Sequence, residues 1–252
     1  MQAAEIALAN VTRRFGNSLA VQNLSFEVGT AEIVALLGRT GAGKSTAMNL
    51  IMGNLAASSG TVRVAGFDPF AEFDRLRGKL AVSFQTDRLL PWRTAVENIE
   101  LGLQILHVER EEARQRAGEW LSRVKMAGAE GKYPHELSGG MRQRVSLARA
   151  LAVDPKILLL DESFSQLDHV TSKALRRDVS DLVRTLGKTC LLITHRIDDA
   201  LEMADRTLVL ASPAHVILEI RPTAADRASP EALKALHDKI AAAMGEDEKA
   251  TN

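Results

Sequence analysis

The chain has 252 residues, of which 46% are hydrophobic, 25% charged and only 4% aromatic. That apolar content excludes wholesale disorder and can fill the core of one large or two small domains. The 32 basic residues cancel the 32 acidic ones, so no overall field favours nucleic acid or an acidic substrate.

The opening stretch has no basic region followed by a long apolar run, because Glu5 and Asn10 interrupt it; no secretory signal is expected. Short strands are expected at 6–12, 24–28, 32–37 and 61–64, with a turn at Gly29 and Thr30 and with Gly60 and Gly66 bracketing the last strand. The region from about 88 to 150 reads as helical. Ala113, Ala117, Trp120 or Leu121, and Val124 recur at helical spacing, and Glu112 can pair with Arg116 one turn on. Pro134 and the Gly139-Gly140 doublet break that pattern. A second helix then carries Met141, Val145, Ala148 and Ala152 on one face. Its arginines, Arg142, Arg144 and Arg149, are expected to face solvent, and the lack of interleaved aromatics argues against nucleic acid.

Further on, an apolar strand at 157–160 precedes a helix built on Leu175, Val179, Leu182 and Leu186 and closed by Gly187. Strands at 190–193, 207–210 and 216–220 follow, with a short helix after the first. Cys190, the single cysteine, is expected in the core; one cysteine excludes an intramolecular disulfide and suits a reducing compartment. Unbroken apolar strands separated by helices mean an α/β chain with a parallel sheet covered on both faces. From about Ala225 the chain turns polar and ends near Glu246, Asp247 and Glu248, which predicts a frayed helix and a solvated tail. The apolar runs are too short to span a bilayer, so any work at a membrane needs another polypeptide to cross it.

Gly38-Arg39-Thr40-Gly41-Ala42-Gly43-Lys44-Ser45 matches the full phosphate-loop pattern. Several backbone N–H groups must approach triphosphate oxygens closely, and glycines remove the side chains that would obstruct them. Lys44 then reaches the β- and γ-phosphates, Ser45 offers a hydroxyl to Mg²⁺, and the helix starting near Gly43 aims its positive end at the anion. The strand at 157–160 ends in Asp161 and Glu162. Alone, two acids at a strand mouth can simply be solvated. Beside a phosphate loop, Asp161 suits a hydrated Mg²⁺ and Glu162 suits a carboxylate that polarises attacking water.

Leu137-Ser138-Gly139-Gly140-Met141-Arg142-Gln143-Arg144 resembles the signature sequence of ATP-binding cassette (ABC) proteins, and the motifs follow that family's order from the first strand to about Ser212. The resemblance implies a phosphate-loop NTPase fold with a RecA-like parallel-sheet core, an N-terminal antiparallel β subdomain and an inserted helical subdomain at about 88–150. The ATPase domain would span 1–225, with a C-terminal helix and polar tail at 226–252. It also implies two nucleotides held between two head-to-tail copies. Ser138, Gly139, Gly140 and Asp168 would face the nucleotide held by the other copy. Within one copy, ATP contacts fall to Phe15, as the adenine-stacking aromatic, and to the loop from Gly38 through Arg39, Thr40, Gly41, Ala42, Gly43, Lys44, Ser45 and Thr46. Mg²⁺ falls to Ser45, Gln85 and Asp161, and catalysis to Glu162, His195, Gln85 and Lys44. Two departures stand out: Ser163 replaces the family's proline and Gln166 a small residue. Ser163 is expected to loosen the loop and alter tuning between copies.

The segment from Leu89 and Leu90 through Pro91, Trp92 and Arg93 to Ile99 resembles the nitrate/sulfonate/taurine importer group, as do Arg142-Gln143-Arg144 and the Ser212-Pro213 stretch. This implies an ATPase subunit on the cytoplasmic membrane face, a separate permease that Pro91 and Trp92 touch, and a solute-binding protein acting through that permease. Three alternatives stay open: an exporter or lipid-trafficking ATPase, a soluble non-transport ABC ATPase, and a non-hydrolysing regulatory cassette. No coiled-coil, zinc or nucleic-acid insertion supports the second, and intact Glu162 and His195 oppose the third.

Overall fold

The structure, a computed structural model, describes residues 4–165 and 168–251. Gln166, one of the two departures, lies outside the described residues. The chain divides into two compact units, one from Met1–Leu76 with Thr189–Asn252 and one from Arg77–Lys188.

The first unit opens with β1 (Ala4–Phe15) and β2 (Ser18–Gly29), a hairpin closed by Gly16 and Asn17. Ile6, Leu8 and Val11 of β1 and Leu24 and Val28 of β2 turn inward and are buried. The hairpin runs further than the apolar pattern predicts. Arg13 and Arg14 hide the strand in the sequence, yet backbone pairing of Phe15 with Ser18 carries it to the tip. After β3 (Ile33–Leu37), buried at every position, comes α1 (Lys44–Ile51), and then β4 (Ser59–Val64) adds to β1 to give the antiparallel order β2-β1-β4. Gly60 therefore sits inside β4 rather than before it, at the register shift between Ala9 and Thr12.

The second unit contains β5 (Leu80–Ser83), which pairs in parallel with β6 (Ile157–Asp161). Between them lie α2 (Ala95–Ile105), α3 (Arg110–Arg123) and α4 (Gly139–Ala152), and α5 (His169–Thr185) follows. In α3 both Trp120 and Leu121 are buried, with Ala113 and Ala117, and Glu112 pairs with Arg116 as the spacing predicts. The Gly139-Gly140 doublet does not end a helix; it forms the first turn of α4, capped by the Ser138 side chain on the Met141 N–H at 3.3 Å. α5 buries Leu175, Val179 and Val183 and stops at Gly187, which adopts φ 60.

The chain then returns to the first unit with β7 (Thr189–Thr194), α6 (Ile197–Met203), β8 (Arg206–Ala211) and β9 (His215–Ile220). β3 lies between β7 and β8, parallel to both, and Cys190 is fully buried in β7. β9 runs antiparallel to β8, so the sheet is mixed and not wholly parallel as expected. The short 211–215 connection permits only a hairpin, since a parallel return needs a crossover. α7 (Ala224–Ala228) and α8 (Pro230–Thr251) end the described chain. Arg227 donates to the Leu201 and Ala204 carbonyls at the end of α6, and Ile240 anchors α8 with no exposed surface. The expected frayed helix is continuous to Thr251; the acidic side chains Glu246, Asp247 and Glu248 lie outside the described residues. Among the described residues no helix is long and apolar enough to cross a membrane.

Candidate active site

In the first unit, the loop from Gly38 to Gly43 links the carboxyl end of β3 to α1. Gly41 has φ 90 and Gly43 φ 78, values that cost a residue with a Cβ about 1–2 kcal/mol. At Gly43 space is lacking as well, because a Cβ would stand 2.5 Å from the Ala20 carbonyl oxygen and 2.7 Å from the Ala214 Cβ. Lys44 is only 5% exposed, and its ammonium donates to the Gly38 and Arg39 carbonyls at 2.7 and 2.9 Å. The loop thus curls around a desolvated cation. Arg39, Thr40, Gly41 and Ser45 lie exposed, Thr46 is half-buried and Ala42 is buried beneath them.

His195 follows β7 and is exposed. Parallel pairing sets Leu37 beside Thr194, and the Gly38 N–H donates to the Thr194 carbonyl at 3.4 Å, so His195 leaves the sheet next to the start of the loop. Its turn is fixed by a residue that sequence reasoning missed. Asp199, 1% exposed, accepts from the Thr194 hydroxyl at 2.9 Å. Phe15, at the hairpin tip, is 46% exposed, with the Arg13 guanidinium 4.6 Å from its ring centroid.

In the second unit, Asp161 ends β6 and Glu162 follows in a left-handed conformation, φ 45. Gln85 lies two residues beyond β5, and its amide donates to the Glu162 carboxylate at 3.2 Å and to the Ser165 hydroxyl at 3.4 Å. The parallel β5–β6 pairing therefore brings together two residues 77 positions apart. Ser163 is 4% exposed and its hydroxyl donates to the Ser83 carbonyl at 2.9 Å. The loosening expected of serine in place of proline is thus overturned, because its side chain ties the turn to β5. Ser138 and Gly139 are exposed at the start of α4. Asp168 is exposed and caps α5 by accepting from the Val170 and Thr171 N–H groups at 3.1 and 3.0 Å. Hydrogen bonds from Thr171, first from its side chain and then from its backbone, hold the Asp168 carboxyl below its ordinary range.

The arginines of α4 do not simply face solvent. Arg142 donates to the Asp87 carboxylate at 2.9 Å, Arg149 donates to the Asp87 and Arg88 carbonyls at 2.8 Å, and Arg144 binds Asp178 at 2.8 Å. Arg142 and Arg149 fasten the segment just after Gln85 to the helix that begins at Ser138. Their partners are mostly carbonyls about 60 residues away, which no local pattern reveals. Beyond them Trp92 is 71% exposed beside an open groove of about 660 Å³ that Glu97, Gln104 and Arg110 also line. The loop carrying it is pinned by buried Asn98, which accepts from the Leu90 N–H and donates to the carbonyls of Leu90, Arg93 and Thr94. α2 lies within the 88–150 stretch that reads as helical, as a helix additional to the two placed there. Its local signal is the reciprocal cap of Thr94 with Glu97 ahead of Val96, Ile99 and Leu103.

A profile of the ABC transporter family matches residues 21–165. The chain belongs to the ABC transporter family. It is 42% identical over 199 residues to the taurine import ATP-binding protein TauB of Yersinia pestis bv. Antiqua, an alignment covering 79% of this chain and 76% of that one. It is 39% identical to the glycine betaine transport ATP-binding protein OpuAA of Bacillus subtilis, over 79% of this chain and 49% of the other. A dimeric ATP-binding cassette in a post-hydrolysis state, bound to ADP and Pi, superposes with a TM-score of 0.73 at 32% identity, over 86% of this chain and 98% of that chain.

As a member of this family the chain is an ATP-hydrolysing α/β enzyme that uses Mg²⁺. Its donor chemistry fits that ion. Among the described residues no cluster of three or more His, Cys, Asp or Glu could cage a metal. Mg²⁺ needs no such cage, since it takes one or two carboxylates, phosphate oxygens and water. Each unit offers hard oxygen donors on its own, the Ser45 hydroxyl in the first and the Gln85 amide oxygen and Asp161 carboxylate in the second.

Proposed function

We propose that this chain is the ATP-hydrolysing subunit of an importer for a small anion or organic solute such as taurine, another sulfonate or nitrate. It works at the cytoplasmic membrane face, beneath a separate permease served by a solute-binding protein. The observation that carries the reading is the 42% identity, over 79% of the chain, to a taurine import ATP-binding protein. Residues 1–225 form the ATPase domain, with a helical subdomain at about 88–150, and 226–252 a C-terminal appendage. The exposed Trp92 and its groove are the permease-facing surface.

ATP stacks its adenine on Phe15, and the loop from Gly38 to Thr46 cradles the triphosphate. Lys44 holds the β- and γ-phosphate oxygens. Ser45, Asp161 and Gln85 would hold Mg²⁺, which when bound would supply charge neutralisation for phosphoryl transfer. Glu162 takes a proton from the attacking water, while Gln85 and His195 orient that water and the γ-phosphate. Ser138, Gly139 and Gly140 at the exposed start of α4, with Asp168, complete the site of a second copy bound head to tail, where the positive helix end meets the terminal phosphate. Closure of the two copies drives the permease between its inward- and outward-facing states.

Glu162→Gln should keep ATP affinity, lose turnover and accumulate an ATP-bound dimer on size-exclusion chromatography. Mixing Lys44→Ala with Ser138→Ala copies tests the shared site, because each mixed pair retains one intact site. Recovery of hydrolysis that neither parent shows supports the head-to-tail arrangement; no recovery rejects it. Uptake of labelled taurine, sulfonates and nitrate by the permease complex identifies the solute, and ATP-driven efflux instead would reject the importer.

A further inference from the structure

Four residues after β6 form a built structure that the roles above leave unexplained. The left-handed Glu162 is an unfavourable conformation for a residue with a Cβ, and such conformations persist only where the surroundings over-determine them. Here two serines do so. Ser165 donates to the Glu162 carbonyl twice, from its N–H at 3.0 Å and its hydroxyl at 2.9 Å. Ser163 donates its buried hydroxyl to the Ser83 carbonyl at 2.9 Å, two residues before Gln85. The Gln143 amide of α4 reaches the same strand end, donating to the Ser83 hydroxyl and the Phe84 carbonyl, both at 3.3 Å.

The turn carrying Glu162 and the strand end carrying Gln85 are therefore joined at two points. One is the Ser163 hydroxyl on Ser83; the other is the Gln85 amide on the Glu162 carboxylate. A buried hydroxyl bonded to a strand carbonyl fixes the position of its own backbone, and its neighbour's side chain moves with that backbone. We infer that Ser163 is a positioning residue: its hydroxyl sets the register between the β6 turn and the end of β5, and so holds the Glu162 carboxylate against Gln85. The constraint that proline supplies through φ is supplied here by a hydrogen bond. The inference rests on the reading of Glu162 as the base that activates water.

The test uses the full chain with Ser163→Ala, Ser163→Thr and Glu162→Gln, assayed for ATP hydrolysis well below the unfolding temperature, with ATP affinity measured separately. Losing one such bond is expected to lower kcat of Ser163→Ala roughly three- to tenfold, with KM and ATP affinity within twofold of the parent. Ser163→Thr keeps the donor and recovers most of the loss. Unchanged kcat in Ser163→Ala overturns the inference. So does a fall in kcat matched by lost ATP affinity and not relieved by threonine, because that marks a damaged fold. Wild-type hydrolysis by Glu162→Gln would instead sink the parent reading, whatever the serine variants do.

Discussion

Gly43→Ala separates two costs that the phosphate loop imposes. The first is conformational: alanine at φ 78 loses about 1–2 kcal/mol relative to glycine. The second is steric. The new Cβ would meet the Ala20 carbonyl at 2.5 Å and the Ala214 Cβ at 2.7 Å, so both must retreat by several tenths of an ångström. Neither moves easily, because the Ala214 N–H donates to the Ala20 carbonyl and the Gln22 N–H to the Ala214 carbonyl, each at 3.0 Å. Overpacking against fixed backbone costs about 1–3 kcal/mol more, giving a total of roughly 2–5 kcal/mol. Gly41→Ala is the control, since φ there is 90 but nothing lies within 4 Å of its Cβ; it carries the conformational cost alone. At about 2–4 °C per kcal/mol for a chain of this size, calorimetry without nucleotide should show Gly43→Ala melting roughly 5–15 °C below the parent and Gly41→Ala roughly half as far below. Titration calorimetry should show both losing most of their ATP affinity. Equal melting losses in the two variants would refute the claim that packing against Ala20 and Ala214 requires glycine.

Two other predictions rest on side-chain pairs. Arg13 stacks on Phe15 and donates to the Ala56 carbonyl at 3.0 Å, so Arg13→Ala should free the ring and weaken ATP binding about two- to fivefold, the scale of an exposed cation–π contact. Binding of a fluorescent ATP analogue measures this, and unchanged affinity would deny Arg13 any part in setting the ring. Asp178 joins Lys125 and Arg144 at 2.6 and 2.8 Å. Burial pushes its carboxyl up, but the hydrogen bonds and charges of those two residues together bring it below the ordinary 3.8. A lowered native pKa means that the unfolded chain binds the extra proton first as pH falls. The stabilisation is therefore complete above about pH 4–5 and drains away below it as pH drops through the native value. Melting curves from pH 7 to pH 3 should be less steep at the acid end for Asp178→Asn; an identical acid limb would show that the pair adds nothing.

The ends of the parallel strands were legible because each apolar run stops abruptly. Gly38 succeeds β3, Asp161 closes β6 and His195 succeeds β7. In a parallel strand the run is apolar on both faces, so its end is visible as a change of composition, and that end is where such folds place ligand-binding residues. Gln85 came from the resemblance to the family rather than from the pattern, and it lies two residues past the shorter β5. Where the polar pattern and the backbone disagree, the signal fails. The tip of β1 reads as polar loop, yet its hydrogen bonds to β2 persist to Phe15.

What stayed hidden depends on bonds between distant side chains and backbone carbonyls. Arg149 reads as one more surface charge until the carbonyls of Asp87 and Arg88 are placed around it. Buried Asn98 looks like an ordinary polar residue in a helix, though it holds the loop that keeps Trp92 in solvent. Ser163 is the sharpest case. Residue type alone predicts freedom, since serine lacks the ring that fixes φ. Position reverses the conclusion, because a hydroxyl buried beside the Ser83 carbonyl must hydrogen-bond, and in doing so it restricts the turn. A substitution that departs from a family's pattern can therefore preserve a constraint by different physics, and only its buried partner tells which.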